Sequence, residues 1–237
     1  MFKNLSIGVL ALFLAACGVL KVRPAAPPPK PEESISRPGL PPGRVYRIDE
    51  KQSELRILVY RAGPLAHFGH NHVIVNHAVR GAVNLADVPG DSVFWLTVPV
   101  AAFVVDDARA RREEGADFAA DVPDSAKSGT LHNMLSAALL NADEFPEIAV
   151  RSVAGSGARG GSGAGALTAT VAISVAGHES TVNVPLTLRV DTRRLSAAGS
   201  LEIRQSALGL TPFSLMLGAL QVQDAMTIKF EFVAVPE

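Results

Sequence analysis

The chain has 237 residues, with 22 lysines and arginines against 23 aspartates and glutamates, a formal net charge of −1. That balance, without any basic run, excludes the electrostatic footprint of a nucleic-acid-binding protein. A single cysteine excludes a disulfide framework, and neither a Gly-x-Ser-x-Gly elbow nor a His-Glu-x-x-His helix is present.

In chain order, residues 1–16 read as an export signal. They carry a positive charge at Lys3, the apolar run "LSIGVLALF", too short to span a bilayer, and small residues at Ala15 and Ala16. The ending "LAAC", Leu14 to Cys17, resembles the lipobox of bacterial lipoproteins, in which the cysteine sulfur receives a diacylglycerol and becomes the first mature residue. This implies a lipid anchor at Cys17 in the bacterial cell envelope. With Gly18 rather than aspartate next, it also implies sorting to the outer membrane, facing the periplasm. The alternative is an ordinary secretory signal cut near Ala16, leaving a free thiol. Residues 17–43 follow as a tether. Eight of the 16 prolines fall between Pro24 and Pro42, with almost nothing large and apolar to bury, a composition that favours extended polyproline conformations with a reach of roughly 3 Å per residue.

Residues 44–237 are long enough for one all-β domain with its own core. Leu55, Ile57 and Val59 open a period-two alternation, the mark of a strand with one covered face. Next comes "HFGHNH", with His67, His70 and His72 around Phe68. Three imidazoles suggest a metal, with His77 as a fourth ligand, but on a strand His70 and His72 share one face and His67 takes the other unless Gly69 bends the chain. The competing expectation is a polar barrel mouth that hydrogen-bonds a ligand headgroup, and no resident metal is expected. Asp106 to Asp124 mixes carboxylates with Arg109, Arg111 and Arg112 and reads as a solvated loop.

One helix is expected within "SGTLHNMLSAALLNADEFP", where Leu131, Met134, Leu135, Ala138 and Leu139 recur at three and four, Ser128 or Thr130 caps the start, and Pro146 closes the end. Gly155 to Gly165 is a glycine-rich hairpin loop without the lysine of a phosphate loop. Alternation returns in Leu167, Ala169, Val171, Ile173 and Val175, and in Val182, Val184, Leu186, Leu188 and Val190. Pro185 on the wet face argues for an edge, a bulge or an irregular pairing. Leu201 and Ile203 make a shorter copy. "TPFSLMLGAL", Thr211 to Leu220, is an apolar loop expected to plug the barrel, to form a greasy rim, or to pack as ordinary core. Ile228, Phe230 and Phe232 close the series. So many strands with one clean apolar face, and one helix, predict a closed antiparallel barrel of about eight strands with a helical cap, a sandwich being the alternative.

From Val45 to Val235 the chain resembles the YceI-like polyisoprenoid-binding proteins. The likeness rests on the opening "VYRID", the helix followed by "LLNADEFPEIAVRS" at Leu139 to Ser152, and "LTATVAISVAGHESTVNVPLTLRV" at Leu167 to Val190 with its turn at Gly177. It implies a lipocalin-like barrel whose lumen holds an isoprenoid chain or a quinone-like lipid. The chain departs from the family pattern in a weak lead-in to the helix, "TLHNM" with His132, in the Asp106 to Asp124 insertion, and in its histidine content. The candidate lumen residues are Ile57, Val59, Phe68, Val182, Val184, Leu186, Ile203 and Phe230, with no charge expected on the inner face. The expected partner is an apolar isoprenoid lipid, with a membrane reached through the anchor and an unknown protein partner. No cofactor is expected beyond such a bound lipid. A barrel filled by its own side chains, a ligand-free interaction module and a histidine-based metal protein or metal-dependent enzyme are the rivals.

Overall fold

The computed structural model describes residues 43–88, 91–153 and 165–237. The export signal, Cys17, the tether as far as Pro42 and the glycine-rich loop before Gly165 lie outside the described residues. Twelve strands form one antiparallel sheet: β1 (Arg44–Ile48), β2 (Glu54–Ala62), β3 (His72–Asn76), β4 (Arg80–Leu85), β5 (Val93–Pro99), β6 (Val104–Val105), β7 (Glu147–Ser152), β8 (Gly165–Val175), β9 (His178–Val190), β10 (Leu195–Arg204), β11 (Ser214–Leu215) and β12 (Leu220–Pro236). The ring β1, β4, β5, β7, β8, β9, β10, β12 closes when β12 pairs back with β1, Ile48 opposite Ala234. The expected eight-stranded closed barrel is therefore present.

Three of the four extra strands, β2, β3 and β6, are the upper halves of broken ones, and β11 is a short strand folded back on the start of β12. β1 and β2 run in succession along one edge of β12, interrupted by a 3-10 turn at Glu50–Gln52. β3 continues into β4, and β5 into β6, with similar interruptions. Side chains stand in for the lost ladder bonds. Buried Ser53 donates to the Val233 carbonyl at 3.3 Å and accepts from the Val233 N–H at 3.0 Å. The Asn76 amide, also fully buried, donates to the Pro99 carbonyl at 2.9 Å and accepts from Ala78 N–H at 2.8 Å. An unpaired backbone group here would cost about 1–3 kcal/mol.

Up-and-down order gives the barrel two different ends. At one end, here the mouth, lie the loop between β2 and β3, the helical segment between β6 and β7, the β8–β9 hairpin and the long β10–β12 connection. The opposite end, the floor, is closed by the buried cluster Tyr46, Leu85, Leu195 and Ala234. The hairpin at the mouth turns on Ala176 and Gly177, with φ of 46° and 78°, the left-handed pair that matches strand twist in a two-residue turn. Gly177 is also required by the Phe145 ring, whose Cζ would sit 2.8 Å from a Cβ there. On β9, Pro185 has the irregular pairing its missing N–H demands: it pairs with Thr168 of β8, whereas the ladder to β10 covers only Thr187–Val190.

Two expectations need correction. The Asp106 to Asp124 segment is not a solvated loop. It builds α1 (Ala108–Glu113) and a 3-10 turn at Ala116–Phe118, and buries Ala110 and Phe118 against Leu58, Val73 and Val75 on the outer face of β2 and β3. Covered on both sides, all five residues of β3 are buried. The helix, α2 (Asp124–Leu135), starts directly after Pro123, four residues before the expected Ser128, and stops at Ser136, whose ψ of 163° is extended. Pro123 stands at the N-cap without a side-chain cap, and its carbonyl accepts the first helical bonds, from Ala126 N–H at 2.9 Å and Lys127 N–H at 3.1 Å. Truncation of Phe118 to alanine is expected to cost about 3–5 kcal/mol in urea unfolding, a loss that a solvated loop would not show.

Candidate functional site

A cavity of about 430 Å³ runs through the barrel from floor to mouth. Its wall follows from the alternation: Leu55, Ile57 and Val59 on β2, Leu167, Ala169, Val171, Ile173 and Val175 on β8, Val184, Leu186 and Leu188 on β9, and Ile228, Phe230 and Phe232 on β12. Phe230 and Phe232 stack with ring centroids 5.2 Å apart. From α2, Thr130, Asn133 and Met134 face the cavity, the i, i+3, i+4 spacing that puts three side chains on one helix face.

The candidate residues sort clearly against this geometry. Ile57, Val59, Val184, Leu186 and Phe230 line the cavity, together with His70 and His72. Val182 and Ile203 belong to the packed core around it and are not among its lining residues. Phe68 is misplaced by the sequence reading: it sits in the 3-10 turn Ala66–Phe68, 70% exposed, with its ring 3.9 Å from that of His67, so it marks the rim and not the lumen. His67 is likewise exposed. Nor is the inner face free of charge, because Arg61 continues the Ile57, Val59 alternation into the mouth and donates to the Gly69 carbonyl at 2.8 Å. Gln205 and Gln221 join it there. The Thr211 to Leu220 loop divides: Phe213 and Leu220 line the cavity, whereas Leu215, Met216 and Leu217 are exposed.

The histidines do not converge. His72 is buried, with Nδ1 2.6 Å from Asp106 Oδ2 and Nε2 3.2 Å from Thr130 Oγ1. A carboxylate at Nδ1 places the proton there and leaves Nε2 to accept from the Thr130 hydroxyl. The His70 and His72 ring centroids are 6.1 Å apart, and His77 lies instead against the Ser53 carbonyl. Among the described residues no three histidine, cysteine or carboxylate side chains form a group able to hold a metal.

Asp106 is the hub of the mouth and was missed by sequence reasoning, where it appeared as one more charge in an acidic loop. Its backbone φ is 58° and its carboxylate is fully enclosed. Oδ1 accepts from Val73 N–H at 2.9 Å and from Arg111 Nη1 at 2.5 Å, and Arg111 in turn donates to the Asn71 and Ala120 carbonyls. Burial pushes the carboxyl upward, but hydrogen bonds from His72, Val73 N–H and Arg111 outweigh it and hold Asp106 below its ordinary value of 3.8.

Residues 46–234 match the profile of the YceI-like domain family. No curated protein matches the chain. Among solved structures, it is similar to BcnA of Burkholderia cenocepacia, at 17% identity and a TM-score of 0.57, covering 79% of this chain and 99% of that one. It is also similar to a polyisoprenoid binding domain from Saccharophagus degradans implicated in plant cell wall breakdown, at 12% identity and a TM-score of 0.54, covering 81% and 98%. These two establish a shared fold.

A depressed carboxyl stabilises the folded state above its unfolded value and loses that contribution as pH falls through its folded value. Asp106 thus adds stability that is present above about pH 4 and fades in stronger acid. Asp106→Asn is expected to cost about 3 kcal/mol at neutral pH, because it leaves Arg111 buried without its partner, and to flatten the acid limb of a melting temperature against pH curve. Equal acid limbs in the two proteins would remove Asp106 from this role.

Proposed function

The chain belongs to the YceI-like family, and from that premise we propose that its barrel binds a long apolar isoprenoid lipid, a polyisoprenoid or an isoprenoid quinone. The hydrocarbon lies along the lumen and the polar head lies among His70, His72, Thr130 and Asn133. The observation that carries this reading is the distribution of polarity along one continuous cavity. Its length is walled mainly by aliphatic and phenylalanine side chains, and Arg61, His70, His72, Thr130, Asn133, Gln205 and Gln221 gather at the open end. The Ser92 and Ser152 hydroxyls at the floor are taken up by the backbone N–H groups of Ala86 and Phe94. A guest that is mostly hydrocarbon with one polar terminus is complementary to that surface, each methylene-sized group contributing a gross ~0.8 kcal/mol on burial. The similar polyisoprenoid binding domain supports the same class of ligand. A histidine-held metal is the weaker reading, since His72 spends both ring nitrogens on Asp106 and Thr130.

The role proposed is carrier, reservoir or sensor of that lipid in the bacterial envelope, with binding and not catalysis as the activity. The chain would be held at the outer membrane, facing the periplasm, through a diacylglyceryl group on Cys17. A chain so anchored has its lipid supply and its attachment in the same compartment.

The test uses natively purified protein. Solvent extraction and mass spectrometry are expected to give an isoprenoid lipid in near-stoichiometric amount. Val184→Phe adds volume to the cavity wall, and a solid core would resist it by about 1–3 kcal/mol. In a lipid-holding lumen the variant is expected to melt close to the parent and to yield little lipid. A large melting loss, with no extractable lipid from the parent, would sink the assignment. The anchor has its own check, in which palmitate labelling marks the parent chain and not Cys17→Ser.

A further inference from the structure

We propose that the mouth carries an external docking surface, in which Phe68, Leu215, Met216 and Leu217 engage the surface of a phospholipid bilayer, so that lipid passes between bilayer and lumen without crossing water. This deepens the lipid-binding reading and rests on it for its purpose, though not for its readout.

Four observations lead there. The first is exposure in one place. Phe68 is 70% exposed and Met216 75% exposed, Leu217 is fully exposed and Leu215 nearly half so. The two loops that carry them are tied together, Leu65 N–H donating to the Ala219 carbonyl at 2.8 Å, and Gly63 packing so closely on the Gly218 and Ala219 carbonyls that a Cβ would meet them at 2.5–2.6 Å. Scattered exposed leucines are ordinary, but a cluster on joined loops is an interaction surface.

The second is backbone conformation. Met216, Leu217 and Gly218 are all left-handed, with φ of 49°, 57° and 90°. Leu217 has the conformation of a glycine and still carries a large apolar side chain held away from the protein. Glycine or asparagine would take that conformation at lower cost, so the leucine side chain is held outward against a backbone preference.

Charge supplies the third. The chain has 23 aspartates and glutamates, yet none falls between Leu55 and Ala86 or between Ile203 and Gln223. The first carboxylate beyond, Asp224, is turned to the Ser206 N–H and hydroxyl. What polar charge the rim has is cationic, from Arg61. The acidic residues of this end belong to other elements: Asp117, Asp121 and Asp124 to the α1–α2 segment, Asp143 and Glu144 to the stretch before β7, and Glu179 to the β8–β9 hairpin, where it pairs with Arg151. An apolar tip flanked by a cation and free of carboxylates is complementary to an interface with anionic headgroups.

The fourth is continuity. Gly69, His70, Phe213, Leu220 and Gln221, neighbours in sequence of the exposed side chains, line the cavity itself. The rim is therefore the outer edge of the same apolar path. The described chain begins at Gly43 beside Asn84 and Leu85, at the floor, the opposite end.

The experiment reads the rim locally. Full-length lipidated protein is reconstituted in vesicles of phosphatidylethanolamine and phosphatidylglycerol, as Leu217→Trp and, separately, as Val88→Trp, an exposed position in the β4–β5 loop at the floor. Emission of the added tryptophan is taken as the difference from the parent, whose single tryptophan is Trp95. Both positions are solvent-exposed, so neither substitution disturbs packing. Docking predicts a blue shift of Leu217→Trp and its quenching by brominated acyl chains, with Val88→Trp unaffected. An unresponsive Leu217→Trp, or equal quenching at both positions, overturns the proposal. A blue shift without vesicles that grows with protein concentration assigns the rim to a second copy and overturns it too. In a second arm, Leu217→Asp is expected to slow transfer of a fluorescent polyprenol to vesicles by about tenfold, as loss of one buried leucine implies, with equilibrium loading unchanged. Quenching at Leu217→Trp in a protein that loads no polyprenol would leave docking intact and remove the lumen reading. Loading without quenching would do the reverse.

Discussion

β12 holds both edges of the sheet. Along one side its seventeen residues pair with β10 from Ala225 to Ala234. Along the other they pair with β1 through Ala234 and Pro236 and with β2 from Gln221 to Glu231. Without that strand the sheet would be an open ribbon with two exposed edges. Closure at eight strands also fixes the bore, wide enough to be filled by side chains or to take one slender ligand. Which of the two occurs is then a matter of side-chain volume. Phe94, Phe103, Phe230 and Phe232 are bulky, but Ala169 and Ala197 on β8 and β10 are small, and Gly199 lets the Phe230 ring lie over the backbone, where a Cβ would meet Cζ at 2.6 Å. Space remains because large residues are answered by small ones.

The upper barrel needs a second support. Interrupting three neighbouring strands weakens the ladder where the mouth begins, and Ser53 and Asn76 restore only part of it. The rest comes from outside. α1 and Phe118 cover β2 and β3, and Arg111 crosses from α1 to Asp106, which grips His72 and Val73 on β3. Desolvating such a pair takes back much of its Coulomb energy, so its value lies less in stability than in fixing one arrangement. His72 is held in one tautomer, and Thr130 of α2 is bound to it. The mouth's polar groups are therefore positioned by a segment that contributes no strand to the ring.

What could be read in the sequence was what depends on period. Alternation at Leu55–Val59, Leu167–Val175, Val184–Leu188 and Ile228–Phe232 gives the inner wall directly, because a strand shows the same face every second residue. Arg61 obeys the same rule, but its charge conceals the period, since an arginine two residues past Val59 looks like the end of the apolar face. Composition misled elsewhere. Asp106 and Arg111 look like solvated charges in one dimension, and only folding brings them to 2.5 Å of each other inside the protein. His67, His70 and His72 look like a ligand set, but the 3-10 turn at Ala66–Phe68 sends His67 outward before β3 begins. Phe68 went astray for the same reason, since alternation has no meaning in a turn.

The barrel's two ends obey different constraints, and the difference bears on direction. The floor is tight, with Tyr46 and Ala234 fully buried, and the chain enters there. At the mouth, Met216 and Leu217 take left-handed conformations that cost about 1–2 kcal/mol each for residues with a Cβ. Ala176 takes the same conformation in a plain hairpin turn, so what sets Met216 and Leu217 apart is that backbone strain and exposed apolar side chains coincide there. A floor closed by packed side chains and a mouth shaped at such a cost leave one end of the lumen for exchange with the surroundings.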